Sequence, residues 1–110
     1  MKIRLIVPNR SGLTLDGCTF DVQPIETYGK AIANIASGFT ATLATGGWVD
    51  GDGRLIVEPV TVFDCVYSSN ATLTENVVVG FRSLAKTIAG DLRQECIYLE
   101  IDGVVEYVKG

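Results

Sequence analysis

The sequence predicts an α+β fold: a ferredoxin-like, antiparallel βαββαβ sheet with two helices on one face, an extra C-terminal hairpin strand and an N-terminal arm. Three observations lead to this prediction. Short alternations of apolar and polar residues mark strands, two longer stretches repeat apolar residues at helical spacing, and glycine-containing turns separate these elements. The 110 residues match the usual size of one domain, so we expect a single domain over 1–110.

The N-terminal part holds the first strand, the arm and the first helix. Residues 2–7 alternate as in a strand, and Pro8 ends it because proline cannot donate to a sheet ladder. Residues 9–22 are rich in turn formers and predict a loop or arm inserted into the domain. Apolar residues then recur at helical spacing over 24–37, and Gly38 is the expected left-handed cap of that helix.

The middle of the chain predicts a hairpin. Residues 39–45 read as a strand, and residues 46–53 contain four glycines, which suit a turn or a bulge because glycine tolerates positive φ. The strand resumes over 54–57. Pro59 then indicates an edge position or a bulge, and the β-branched run 60–67 continues the strand.

The C-terminal part predicts a helix and a second hairpin. The apolar stripe from Val77 to Leu92 indicates the helix, in which Gly80 and Gly90 would permit close packing on the sheet. Residues 95–101 and 104–108 read as strands, and the Asp-Gly pair between them favours a type I′ turn. Two helices on one face of such a sheet give the split-βαβ, ferredoxin-like arrangement.

The second face of this sheet predicts an assembly. If Ile97 and Leu99 face the helices, Tyr98 and Glu100 face away, and the strand over 60–67 is apolar on both sides. An uncovered apolar face of this size is unfavourable in water. We therefore expect it to pack on another copy, as in a homo-oligomer.

Composition excludes several classes of function. The chain has no histidine, which removes Ser-His-Asp and Cys-His catalysis and histidine-based metal sites. Its three cysteines show no CxxC spacing, so we expect reduced thiols in the cytoplasm and no metal. The formal net charge of −4 disfavours nucleic-acid binding, and the apolar runs are too short to span a membrane. We predict no cofactor and no catalytic residue.

One group of residues has the chemistry of a ligand site. Glycine-rich turns offer backbone N–H groups, Trp48 offers a stacking surface, and Arg54 offers a positive charge. Glu58 beside Pro59, and Gln94 with Glu95 at the junction of the second helix and the next strand, would add directional hydrogen bonds. Each feature also has a structural alternative: hairpin glycines, an edge charge and a helix end. The candidate ligand-binding residues are Gly46, Gly47, Trp48, Arg54, Glu58, Gln94 and Glu95.

Asp64 is an acid within an otherwise apolar strand. Burying an unpaired carboxylate is costly, so this residue needs water or a cation beside it. Either Arg4 or Arg82 is the expected partner, and a structural ion pair at a subunit contact is the favoured interpretation.

A set of short motifs adds a resemblance. They are Gly38-Phe39-Thr40, Gly46-Gly47-Trp48, Gly53, Glu58-Pro59 and Gln94-Glu95-Cys96-Ile97-Tyr98. Together they resemble a pattern in small uncharacterised proteins of bacteria and their phages, over about residues 30–108. The resemblance implies a ferredoxin-like fold, and a phage source would favour a role directed at the host, but it implies no particular activity.

Three functions remain open from the sequence. The leading hypothesis is a non-enzymatic, homo-oligomeric binding protein, phage-encoded, that holds a small nucleotide-like ligand near subunit boundaries. The second is a protein-interaction module, such as an inhibitor of a host enzyme or an assembly component. The third is a small enzyme with Glu58, Asp64 or Glu95 as acid and base. A closed pocket around Trp48 favours the first, and a flat acidic face favours the second. Converging carboxylates favour the third.

Overall fold

The computed structural model describes residues 1–8, 23–66 and 71–110. The predicted arm over 9–22 lies outside the described residues. The elements, in chain order, are β1 (Lys2–Pro8), α1 (Gln23–Ala36), β2 (Thr40–Val49), β3 (Leu55–Val66), α2 (Ala71–Asp91), β4 (Cys96–Ile101) and β5 (Val104–Lys109).

The strands form one five-stranded sheet in the order β2-β3-β1-β4-β5. Every neighbouring pair is antiparallel. The α+β class, with an antiparallel sheet and two helices, is therefore confirmed.

One face of the sheet carries the hydrophobic core. Alternate residues of β1, β3 and β4 point to this face and are buried, among them Leu5, Phe63 and Leu99. Ile32 of α1 and Phe81 of α2 belong to the same cluster, so both helices lie on this side. The apolar periodicity of the two helices thus gives each a stripe that is buried against the sheet.

The first helix ends one residue earlier than predicted. Because α1 stops at Ala36, the left-handed position after the helix falls on Ser37, whose φ is 70°, and not on Gly38. The close approach predicted for Gly80 is present, but against the other helix. A Cβ added there would meet Ile35 Cγ2 at 3.2 Å. The close packing predicted for Gly90 is wrong, because a Cβ added there would meet no atom of the described residues within 4 Å.

The first hairpin turns later than predicted. Gly46 and Gly47 lie within β2, which continues to Val49 in one-to-one register with β3 and without a bulge. Within residues 46–53 only Gly53 has positive φ. The glycines of β2 are extended, so the strand pairs through them instead of turning. At the second hairpin, Asp102 and Gly103 both have positive φ, as a type I′ turn requires.

The face of the sheet away from the helices is called the open face below. Its central row crosses all five strands through Thr42, Val62, Ile6, Tyr98 and Tyr107. Exposed apolar side chains lie on this face, including Val66 (79% exposed) and Tyr107 (66%).

Candidate functional site

The candidate residues near Trp48 lie on a projecting hairpin. The pairing of β1 with β3 ends at Pro8 and Val60, but β2 and β3 continue for five further pairs, from Thr45–Pro59 to Val49–Leu55. Among the described residues this part has two strands, and we call it, residues 45–59, the ribbon. Pro59 thus lies where β1 no longer pairs with β3, which agrees with its predicted edge position.

Asp50 organises the turn at the tip of the ribbon. Its carboxylate Oδ1 accepts from the backbone N–H groups of Asp52 and Arg54, each at 2.9 Å. Its own N–H donates to the carbonyl of Arg54, and its carbonyl accepts from the N–H of Gly53. This Asx-type turn fixes the register of the ribbon and leaves Arg54 exposed at the tip.

The register decides which candidate residues share a face. Gly46 is opposite Glu58 and Trp48 is opposite Ile56, so these four residues lie on the ribbon side that continues the open face. Trp48 is 54% exposed and Glu58 is half-buried. Gly47 is opposite Val57, and both lie on the other side of the ribbon. Gly47 is therefore not on the same face as Trp48 and Glu58.

The second ribbon side is also apolar. Val49, Leu55 and Val57 lie on it, and each is more than half exposed. A two-stranded ribbon is only marginally stable by itself in water. Exposed apolar residues on both of its sides mark it as a surface for packing or binding.

Gln94 and Glu95 lie at the same end of the sheet as Glu58. They directly precede Cys96, the first residue of β4. The backbone N–H of Gln94 donates to the carbonyl of Ala89 at 2.8 Å. β1 separates β4 from β3, so the two strands are about 10 Å apart. The chain therefore places the Glu58 and Glu95 carboxylates at one end of the sheet, on strands that are not neighbours.

A polar network occupies the open face. Arg4 Nε donates to Asp64 Oδ1 at 2.8 Å, which confirms the first of the two partners expected for Asp64. Tyr98 Oη donates to Glu100 Oε1 at 2.5 Å, and this hydrogen bond raises the pKa of Tyr98. The Tyr98 ring meets Tyr107 edge to face. The sequence placed Tyr98 and Glu100 on this face by alternation, but it did not indicate that they are bonded to each other.

A cleft of about 450 Å³ lies at the other end of the sheet. Its lining comes from the α1–β2 junction and from Asp64 and Val66 at the end of β3, and it includes none of the seven predicted ligand-binding residues. Over residues 1–8, 23–66 and 71–110, no group of three acids or cysteines is placed to hold a metal ion. In the same part of the chain, neither helix is long and apolar enough to cross a membrane.

Comparison with known proteins finds two similar solved structures. No protein-family model and no curated protein sequence matches the chain. The chain is similar to the solved structure of a phage SAM lyase in complex with S-methyl-5'-thioadenosine, with a TM-score of 0.69 and 16% identity. It is also similar to a phage SAM lyase in the apo state, with a TM-score of 0.61 and 14% identity. Each match covers 99% of this chain and 88% of the other.

These matches establish the fold and correct the functional prediction. The non-enzymatic binding protein favoured by the sequence is wrong, because both similar structures are those of an enzyme. The sequence favoured a non-enzymatic protein because it has none of the usual catalytic motifs and no histidine. The nucleotide-like character expected of the ligand agrees with the methylthioadenosine bound by the neighbour.

Proposed function

We propose that this chain is an enzyme that cleaves S-adenosylmethionine (SAM) and releases S-methyl-5'-thioadenosine. The observation that carries this proposal is the likeness, over 99% of the chain, to a phage SAM lyase in complex with that nucleoside. At 16% identity the fold alone is shared, so the roles of individual residues are argued from the geometry of this chain.

The products define which bond breaks. Methylthioadenosine keeps the sulfur, its methyl group and the adenosyl group of SAM, so the broken bond joins sulfur to the γ-carbon of the amino-acid chain. The bonding electron pair goes to sulfur, and the sulfonium becomes a neutral thioether. The γ-carbon then bonds to the substrate's own carboxylate oxygen and closes a lactone, or the β-carbon gives up a proton to a base and an alkene forms. Both routes balance without water or an oxidant.

This reaction asks little of an enzyme beyond binding and orientation. The sulfonium is already a good leaving group, so closure of the lactone requires neither histidine nor an external nucleophile. The positive charge on sulfur disappears during the reaction, so an apolar surrounding favours the transition state over the charged substrate. The ribbon offers such a surface through Trp48 and Ile56.

The carboxylates have a different role in this proposal. A carboxylate held against sulfur would stabilise the charged substrate and slow cleavage. We therefore assign Glu58 and Glu95 to the α-ammonium group and the ribose hydroxyls, with the Gln94 amide beside them and Arg54 at the ribbon tip. With its ammonium held by protein, the substrate's own carboxylate is free to approach the γ-carbon.

The site needs a second copy in this proposal. β1 lies between the strands that carry Glu58 and Glu95, and the ribbon extends away from the sheet. A second copy packed on the open face would cover exposed residues such as Val66 and Tyr107 and would supply a wall for the ligand. The predicted homo-oligomer is thus part of the proposed function.

The fold proposed for this enzyme is a ferredoxin-like arrangement extended at one edge. The order β2-β3-β1-β4, with helices after β1 and β3, supports this assignment, and β5 adds the extra strand. The cytoplasmic location and the lack of a cofactor remain predictions.

Product analysis tests the proposed function. Purified protein is incubated with SAM, and methylthioadenosine is separated by chromatography while NMR identifies the second product as lactone or alkene. Glu58→Gln and Glu95→Gln should each lower the rate at least about tenfold, whereas Glu75→Gln, an exposed acid on α2, should leave it unchanged. Release of methylthioadenosine no faster than in a protein-free blank would overturn the proposal.

A further inference from the structure

The ribbon carries a gap in its side chains over Gly46. On the side that continues the open face, the β2 residues are Ala44, Gly46 and Trp48, and Glu58 lies across from Gly46. Alternate residues along a strand are about 7 Å apart, so Trp48 stands beside a stretch of bare backbone.

Val60 closes one side of this gap. Its side chain is buried, and its Cγ1 lies 3.2 Å from the position that a Cβ on Gly46 would take, which is a tight contact. By register, Trp48 is the next β2 residue toward the tip on this side, and Glu58 lies across the ribbon. We call the space over the Gly46 backbone, among these three residues, the recess, and its width suits the flat face of a heteroaromatic ring.

The conformation of the backbone does not require glycine here. Neither Gly46 nor Gly47 has positive φ, and glycine within a strand is less stable than a residue with a side chain. At Gly47 an added Cβ would meet its nearest atoms at 3.7 and 3.8 Å, which is ordinary contact. Glycine within a strand often marks a bulge, a tight bend, or a close approach of a ligand or another backbone, and β2 has no bulge at Gly46.

We infer that Gly46 is a specificity-determining residue for the proposed SAM site, where its missing side chain admits the purine ring to the recess between Trp48 and Glu58. This inference rests on the proposed function. The ring would lie on the β2 backbone with its edge against the indole, and Glu58 would accept a hydrogen bond from a ribose hydroxyl, which is one of the contacts assigned to it above. A methyl group on Gly46 would occupy the space that the ring needs.

Fluorescence of the protein's single tryptophan tests this inference. S-methyl-5'-thioadenosine is titrated into the wild type, Gly46→Ala and Gly47→Ala, with Trp48 emission as the signal and thermal unfolding recorded in parallel. Gly46→Ala should raise Kd, and KM for SAM, at least about tenfold. Gly47→Ala adds the same methyl group to the opposite side of the ribbon and should leave both constants unchanged.

A double variant separates exclusion of the ligand from strain in the sheet. Val60→Ala removes the Cγ1 that a methyl on residue 46 would meet. Gly46→Ala combined with Val60→Ala should still bind at least about tenfold more weakly than Val60→Ala alone. Equal binding by this pair, or undiminished binding by Gly46→Ala, would overturn the inference while leaving the proposed function intact. A wild-type protein that neither binds methylthioadenosine nor cleaves SAM would overturn both.

Discussion

Arg4 and Asp64 are directly opposite each other on β1 and β3, and Arg4 Nε donates to Asp64 Oδ1 at 2.8 Å. On its other side Arg4 is paired in register with Glu100 of β4. One guanidinium therefore stands between two carboxylates on the open face, and the bond to Asp64 raises the pKa of Arg4. A second copy packed on this face would have to cover this charged row together with its apolar neighbours.

Asp64→Asn tests whether the open face is buried between copies. Exposed ion pairs contribute little to stability, so the variant of an isolated chain should unfold at nearly the wild-type temperature. In an interface, however, the same change leaves the Arg4 charge without its partner in a dry contact. We expect subunit association, measured by analytical ultracentrifugation, to weaken at least about tenfold.

Arg82→Gln is the matched control for that experiment. It breaks an ion pair of the same length, Arg82 Nε to Glu106 Oε1 at 2.8 Å, on the helix side of the sheet. Association should be unchanged in this variant. Equal effects of the two variants would argue against the open face as the interface.

The sequence predicted the elements better than it predicted their ends. Alternation on β4 correctly assigned Ile97 and Leu99 to the core, because a strand with one buried side shows its period in any context. The end of β2 was misplaced because glycine is compatible with both a turn and an extended strand. Here the pairing of β2 with β3 from Thr45–Pro59 outward keeps the glycines in an extended strand. Local sequence does not encode this pairing.

The candidate site was limited in the same way. Trp48 and Glu58 could be proposed individually from their chemistry, but their common face follows only once the hairpin register is known. The position of Gln94 and Glu95 at the same end of the sheet depends on strand order, which is a property of the whole chain. Residue types therefore suggested the site, and topology supplied its arrangement.

Gly80→Ala should destabilise the protein although alanine favours helix. A methyl group at this position would lie 3.2 Å from Ile35 Cγ2, where α1 and α2 meet. Overpacking costs about 1–3 kcal/mol, which exceeds the gain of about 1 kcal/mol in helix propensity. Urea unfolding should show a net loss in the free energy of unfolding.

Gly90→Ala provides the comparison within the same helix. A Cβ added there would meet no atom within 4 Å, so the propensity gain is unopposed. The free energy of unfolding should rise by about 1 kcal/mol. Stabilisation by both substitutions would show that the two helices can separate at Gly80 without cost.

Cys65 should react with thiol reagents only when the chain unfolds. The residue is 3% exposed in the core, and burial, assisted by the nearby Asp64 charge, raises the pKa of its thiol to about 11. The thiolate is the reactive form. Reaction at neutral pH is therefore suppressed both because reagents cannot reach the buried sulfur and because the raised pKa leaves little thiolate. Cys65→Ala should lower the number of labelled thiols by one in guanidinium chloride and by none in the native protein. A lower count under native conditions would show that this part of the core opens.

The protein should lose stability in strong alkali, where the hydroxyl of Tyr28 ionises. Burial, together with the hydrogen bond from its hydroxyl to Asp91 Oδ2 at 3.1 Å, raises the pKa of Tyr28 from 10.0 to about 12. Between these two pH values the unfolded chain releases the phenolic proton and the folded chain retains it. The contribution of Tyr28 to stability is thus complete below pH 10 and is lost as pH rises through about 12.

Tyr28→Phe isolates this contribution from those of the other tyrosines. At neutral pH the variant should be less stable by about 1 kcal/mol, because the hydrogen bond between α1 and α2 is lost. Phenylalanine does not titrate, so the stability difference between wild type and variant should shrink as pH rises from 10 to about 12. Urea unfolding at several pH values in this range measures the difference. A difference that stays constant would mean that the Tyr28 hydroxyl has the same pKa in the folded and unfolded chains, which would contradict its burial beside Asp91.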